Sequence, residues 1–329
     1  MVNAGHATWV LGMRIMADPS TRSITLNQTQ YILRILDKFS MADCKPTPTP
    51  LPEKTILCAA TDQEVHHTHS YPYLQVIRSV MYAMLGTRPD ITYAISTLSH
   101  FASHPGSTHI QVLKHLLCYL KGSAGYGIVY SCDGGSLLGC ETDSTSSISD
   151  ICSFTDSDYA MDPDTHRSVS GAVFMLAGGP VSWSSRLQST VSQSSTEAEY
   201  VTSAEAAKEA IWLRQLMRDL KQDVSLPTTL FIDNHGAQLL AKNPVNHSKM
   251  KHIDVQHHFI WECVEDGSII LHSIPSTDNI ADICTKPLGK VKFSFLCSML
   301  GVVHLDESKG HPERGGVLKP HNAPTHDTP

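Results

Sequence analysis

The sequence predicts a mixed α/β protein: a mixed sheet flanked by helices in its second half, preceded by a mostly helical first half. Three observations point there. After residue 150 the apolar segments follow the order β-β-β-α-β-α-α-β-α, which suits a mixed sheet with helices packed on it. Before residue 131 three consecutive runs carry helical spacing. Between the halves, residues 132–150 are rich in Ser, Gly and Asp, the composition of a linker. The expected units are therefore 1–131, a linker at 132–150, 151–300, and a tail at 301–329 with few apolar residues and many Pro, Gly and His, read as disordered.

The elements follow in order. Residues 8–16, TWVLGMRIM, read as one strand. ITLNQTQYILRILDKFSM gives a short strand and then a helix with Tyr31, Ile32, Ile35 and Leu36 on its apolar face, capped by Asn27 or Thr29. KPTPTPLPEK, residues 45–54, is a proline-rich extended linker. Helices are expected over 72–85, 88–102 and 107–122, with Ser107 as a cap and Gly122 as a stop. A strand ending near Asp156 leads into a hairpin through VSGAVFMLAGG and PVSWSSRL. A long helix covers about 195–220. TTLFIDN is a buried strand, HGAQLLAKN a short helix, and IDVQHHFIWECVEDG a further helix. SIILHSIP is a strand, and DNIADICTK is the last helix.

Composition narrows the function. The 329 residues are 41% hydrophobic and 17% charged, ordinary for a globular chain. No apolar run reaches about 18 residues, so no membrane span is expected. The opening MVNAGHATWVLGMRIMADPS lacks the basic flank and apolar stretch of a signal peptide, and the expected location is cytoplasmic or nuclear, not secreted. Nine cysteines without a C-x-x-C pair read as free thiols and give no zinc signature. The net charge of -7 argues against a broad phosphate-binding surface but not against a cation site.

Acidic residues crowd into SFTDSDYAMDPDTHRSVSGAVFM, residues 153–175. Asp158, Asp162 and Asp164 suit a turn, through bonds from side chain to backbone. Asp156 ends a strand. With Glu199, Asp233 and Asp282 it forms a set of four carboxylates, each at the edge of an expected element. Acids placed so repel one another unless a cation sits between them, and a two-ion site separates its ions by roughly 3.5–4 Å. Magnesium suits such oxygen ligands. The bland readings are a helix cap for Asp233 and a solvated helix face for Asp282. Glu199 depends on the cap: with Ser194 as cap, Glu197 completes the capping box and Glu199 is left free, whereas with Thr196 as cap Glu199 is consumed. Ser194 is preferred. Trp183 and Trp212 are expected in the core.

These motifs resemble the C-terminal part of copia-type (Pseudoviridae) retrotransposon Pol polyproteins. VLGMRIMADPSTRSITLNQTQYILRILDKFSMADCKPTPTPL resembles the end of the reverse transcriptase, and IRSVMYAMLGTRPDITYAISTLSHFA with the helix after it resembles the connection that follows. SFTDSDYAMDPDTHRSVSG, SSTEAEY, LFIDNHGAQLLAKNP, HSKMKHIDVQHHFI and IPSTDNIADICTKPL resemble the RNase H domain. The resemblance implies an RNase H-like five-stranded mixed sheet and an endonuclease that cuts the RNA strand of RNA–DNA hybrids with two Mg2+ ions, for which Mn2+ can substitute. It implies Asp156, Glu199, Asp233 and Asp282 as ligands, in an order that disfavours integrase-type relatives, whose glutamate comes last. Candidate substrate contacts are Arg186, Gln188, Asn234, Lys249, Lys251 and His252. Two departures stand out. No Tyr-x-Asp-Asp turn occurs, so the chain reads as a truncated polyprotein without polymerase activity, its first unit a remnant lacking the palm. The loop SIPSTDN lacks the histidine of many cellular RNase H enzymes. The alternative is an inactive transposon remnant that at most binds nucleic acid.

Overall fold

The structure, a computed structural model, describes residues 7–68, 70–131, 151–233 and 254–305. The expected linker at 132–150, the short helix at 235–243 and the tail beyond 305 lie outside the described residues.

The first unit opens on a hairpin of β1 (Trp9–Val10) and β2 (Met13–Asp18). A single strand over 8–16 was expected. Leu11 and Gly12 instead adopt φ of 50° and 73°, and two consecutive left-handed residues close a tight antiparallel turn. Then come β3 (Ser23–Asn27), α1 (Thr29–Lys38), α2 (Asp62–Thr68) and α3 (Tyr73–Thr87). A 3-10 turn at Pro89–Ile91 leads into α4 (Thr92–His100), followed by α5 (Ser107–Gly122) and β4 (Tyr126–Ser131). The cap of α5 is Gly106 rather than Ser107, and its N–H donates to Nδ1 of His109 at 2.8 Å. The proline-rich segment straps α5: Thr47 Oγ1 donates to the His115 carbonyl at 3.3 Å, and Leu51 is buried.

The second unit is the mixed sheet. Strands β5 (Cys152–Asp158), β6 (Val169–Leu176) and β7 (Gly179–Leu187) form an antiparallel meander. Helix α6 (Ser195–Asp219) crosses over to β8 (Thr228–Ile232), which lies parallel to β5. Helix α7 (Asp254–Glu265) precedes β9 (Ile269–Ser273), which lies parallel to β8. The sheet order is β7-β6-β5-β8-β9, the five-stranded mixed sheet that the resemblance implies.

Alternation along the strands splits the core. Ala172, Phe174, Leu230 and Ile232 face Tyr200, Ala204, Ala207 and Ala210 of α6. On the other face Phe154, Val173, Met175 and Phe231 join the apolar core of the first unit, so one cluster runs through both. Ser96 Oγ donates to the Ser185 carbonyl at 2.8 Å, and Trp183 Nε1 to the Met84 carbonyl at 3.2 Å, across the same seam. Trp183 is thus packed as expected, whereas Trp212 is 56% exposed on α6.

The C-terminal end departs from expectation. After a 3-10 helix at Ile280–Cys284 the chain forms α8 (Lys290–Met299) and β10 (Val302–His304). Strand β10 pairs antiparallel with β4, so the first sheet runs β1-β2-β3-β4-β10. Residues 301–305, assigned to a disordered tail, are therefore a sheet edge with Leu305 buried. Three ladder residues are too short a run to register as a strand in sequence, and their partner lies more than 170 positions upstream. Among the described residues no helix is long and apolar enough to cross a membrane.

Candidate metal centre

The ladder between β5 and β8 ends with Thr155 opposite Ile232. Asp156 and Asp233 are the next residue on each strand, so parallel pairing sets the two carboxylates side by side. Helix α6 supplies the third. Ser194 is its cap, its Oγ accepting the Glu197 N–H at 3.2 Å, while Glu197 accepts the Gln193 N–H at 2.8 Å. Glu197 is consumed at the helix entrance, and Glu199 turns toward the sheet. Asp156, Glu199 and Asp233 each bring a carboxylate oxygen within 4.8 Å of the others. Asp156 is 1% exposed and Glu199 5% exposed.

Burial and like charge disfavour ionisation of Asp156 and Glu199. Burial, with Asp156 and Asp233 adding to it, pushes Glu199 up to about 8, although the Ser157 N–H bonds its Oε1 at 3.0 Å. Burial likewise raises Asp156 to about 6, against the pull of Lys286. The second carboxylate oxygen of Glu199, Oε2, is buried with no hydrogen-bond partner among the described residues. An orphaned carboxylate oxygen among like charges, in an all-oxygen donor set, fits a hard divalent cation.

Asp282 is close but differently placed. It is 1% exposed, on the 3-10 helix Ile280–Cys284, whose Asn279 cap accepts the Ala281 N–H and donates to the Thr155 carbonyl at 2.8 Å. That bond ties the helix to β5 just before Asp156. The Lys286 ammonium stands 3.0 Å from Asp156 and 2.8 Å from Asp282, joining the two. Lys292 pairs with the other oxygen of Asp282, and Thr285 Oγ1 donates to Asp156. Burial works to lower the Lys286 pKa, but Asp156 and Asp282 together outweigh it and raise it. Sequence reasoning passed over Lys286, Lys292 and Thr285. The signal for Lys286 was its spacing, four residues after Asp282 on a helical stretch.

The remaining acids of the opening motif divide. Asp162 accepts the Thr165 N–H and hydroxyl at 2.7 and 2.8 Å, the turn role expected of it. Asp164 instead accepts the Ala59 N–H at 2.8 Å, fastening the turn to the first unit. Asp158 lines a cavity of about 510 Å³ between the units, together with Tyr93, His100, Met161 and Lys286. Of the expected substrate contacts, Arg186 is exposed on β7. Gln188 is 3% exposed, and its amide donates to Ser170 Oγ and the Ala198 carbonyl, so its hydrogen bonds are spent between sheet and helix. Asn234, Lys249, Lys251 and His252 lie outside the described residues.

No family model matches the chain. The retrovirus-related Pol polyprotein from transposon TNT 1-94 of Nicotiana tabacum is 36% identical over 309 residues, 92% of this chain and 22% of that protein. That from transposon RE1 of Arabidopsis thaliana is 34% identical over 300 residues, 91% of this chain and 19% of that protein. The chain belongs to the copia-type retrotransposon Pol polyproteins. It spans about a fifth of the length of these relatives. Among solved structures, LC11-RNase H1 in complex with an RNA/DNA hybrid is 16% identical, covering 41% of this chain and 93% of that one at a TM-score of 0.31.

The metal-free site has a pH signature. Glu199 and Asp156 have folded pKa values raised above their ordinary carboxylate values. The stability they contribute is full below about pH 4 and is lost as pH rises, through about 6 for Asp156 and about 8 for Glu199. A divalent cation needs both ionised and displaces the protons. Its stabilisation, read as the rise in melting temperature on adding magnesium, should therefore grow from about pH 6 to about pH 8.5. A magnesium effect that stays flat over this interval, or is missing throughout, would argue against ion binding at these acids.

Proposed function

We propose that this chain is a ribonuclease of the RNase H type, hydrolysing the RNA strand of RNA–DNA hybrids at Asp156, Glu199, Asp233 and Asp282. The reading is carried by the convergence of Asp156, Glu199 and Asp233 within 4.8 Å at one end of the mixed sheet, in a chain of the Pol polyprotein family. Two magnesium ions bound there, for which manganese can substitute, would activate a water and neutralise charge on the attacked phosphate.

The chain's own groups prepare that chemistry. Asp156 is held by Thr285 Oγ1, and Glu199 is anchored through one oxygen by the Ser157 N–H, which leaves its Oε2 for a ligand. Asp282 is fixed between Lys286 and Lys292. Carboxylates locked on strand ends and helix starts need little reorganisation when substrate arrives. Cleavage would leave 3′-hydroxyl and 5′-phosphate ends. Discrimination of RNA from DNA would rest on the 2′-hydroxyl and the shape of the minor groove rather than base edges. Arg186 and, outside the described residues, Asn234, Lys249, Lys251 and His252 are the proposed contacts to the nucleic-acid backbone.

The test is cleavage of an end-labelled RNA–DNA hybrid with magnesium or manganese. Wild type should cut the RNA strand, and Asp156→Asn should lower the rate by about a thousandfold or more. Cutting that survives in Asp156→Asn would place the activity elsewhere. A folded wild type that cuts nothing with either ion would leave the alternative, an inactive transposon remnant. The 329 residues contain no Tyr-x-Asp-Asp, and no primer extension is expected of them.

A further inference from the structure

Lys286 holds a place that a metal ion would be expected to contest. Its ammonium lies between Asp156 and Asp282, 3.0 and 2.8 Å from their oxygens, and it is the group that joins Asp282 to the cluster. The Asp156, Glu199 and Asp233 side of the site has no such cation among the described residues: Glu199 Oε2 is unpartnered there. The centre is therefore asymmetric. On one side no cation of the described residues stands among the acids, whereas on the other a tethered positive charge already separates them.

We propose that Lys286 is a built-in competitor for the second divalent ion, so that the centre takes up one ion readily at Asp156, Glu199 and Asp233 and a second only as the lysine withdraws. This rests on the metal-centre reading above. The lysine has somewhere to go. Its side chain also lines the 510 Å³ cavity between the two units, beside Asp158, Asp162 and Glu53. Asp158 is within electrostatic reach of the ammonium. A swing of the side chain would exchange Asp156 and Asp282 for Asp158 without leaving the ammonium unpaired in a partly buried site. Lys292 approaches Asp282 from its other oxygen and keeps that carboxylate in place meanwhile. No bond is made or broken in this exchange. Lys286 acts through the ligands and is a positioning residue, setting how many ions the site holds at a given concentration.

The readout is manganese binding, followed by calorimetric titration and by the paramagnetic resonance of free manganese, on the full chain without nucleic acid. Wild type should show one tight site and one weak one. Lys286→Met, which keeps the aliphatic stem, should tighten the weak site by about tenfold or more and leave the tight site nearly unchanged. Lys286→Arg, retaining the charge, should keep the weak site weak and controls for folding. A weak site that is unchanged or weakened in Lys286→Met overturns the competition. A wild type that binds no manganese tightly, or binds it equally well as Asp156→Asn, would instead remove the metal-centre reading itself, so the two failures are distinguishable.

Discussion

Glu199→Gln should abolish hybrid cleavage while making the metal-free protein more stable. The loss of activity, about a hundredfold to a thousandfold, follows from removing the oxygen that has no partner among the described residues and is free for an ion. The gain in stability follows from the same burial. A carboxyl raised to about 8 by burial and by the nearby Asp156 and Asp233 opposes folding at neutral pH, because the unfolded chain ionises freely. Gln carries no charge and keeps a carbonyl to accept the Ser157 N–H. Its expected gain at pH 7 is about 2–3 kcal/mol, read by urea unfolding in the presence of a chelator. Added magnesium should reverse the order, stabilising wild type and leaving the variant unmoved. A variant less stable than wild type without metal would mean that Glu199 serves the fold rather than a ligand.

The second large effect lies away from the acids. Arg88 is wholly buried in the core shared by the two units. Its guanidinium makes a paired contact with Asp90 at 2.9 and 2.7 Å and reaches the Ser123 carbonyl and hydroxyl at 2.9 and 2.6 Å. Tyr119 donates to the same Asp90 at 2.6 Å, and the rings of Tyr119 and Tyr126 flank the cation at 5.4 and 5.7 Å. The pair opens the 3-10 turn Pro89–Ile91, which packs on the Ile280–Cys284 helix carrying Asp282. Arg88→Met leaves Asp90 charged in the interior with one hydroxyl for company. Its expected cost is about 3–5 kcal/mol in urea unfolding. Replacing both members, Arg88→Met with Asp90→Leu, should recover much of it. A single variant within about 1 kcal/mol of wild type would show that water or another cation compensates.

Much of this was legible in the sequence, for identifiable reasons. Pattern found the second sheet because its inner strands β5, β6 and β8 are buried on both faces and its crossover helix is long. The cap of α6 was only narrowed in sequence, because Ser194 with Glu197 and Thr196 with Glu199 share the same spacing; the observed Ser194 cap releases Glu199 for the site. Other features stayed hidden because the physics that makes them is not local. The hairpin at Leu11 and Gly12 reads as one apolar run until the glycine's left-handed backbone is seen. Strand β10 gains its stability from β4, far away in sequence. Gln188 looks like a polar residue near a substrate surface, yet its amide is needed to satisfy Ser170 and Ala198 inside. Lys286 is an ordinary surface lysine in sequence, and only the approach of β5 to the 3-10 helix turns it into the bridge between two acids.

The central claim is that the acids at the end of β5, the end of β8 and the start of α6 form a cation site. Crystals of the wild-type chain grown with manganese, and measured at a wavelength where manganese scatters anomalously, test it most directly. An anomalous peak in coordination distance of Asp156, Glu199 and Asp233 is the predicted result. Carboxylates that stay apart with no peak between them, or a peak bound only elsewhere on the molecule, would contradict it.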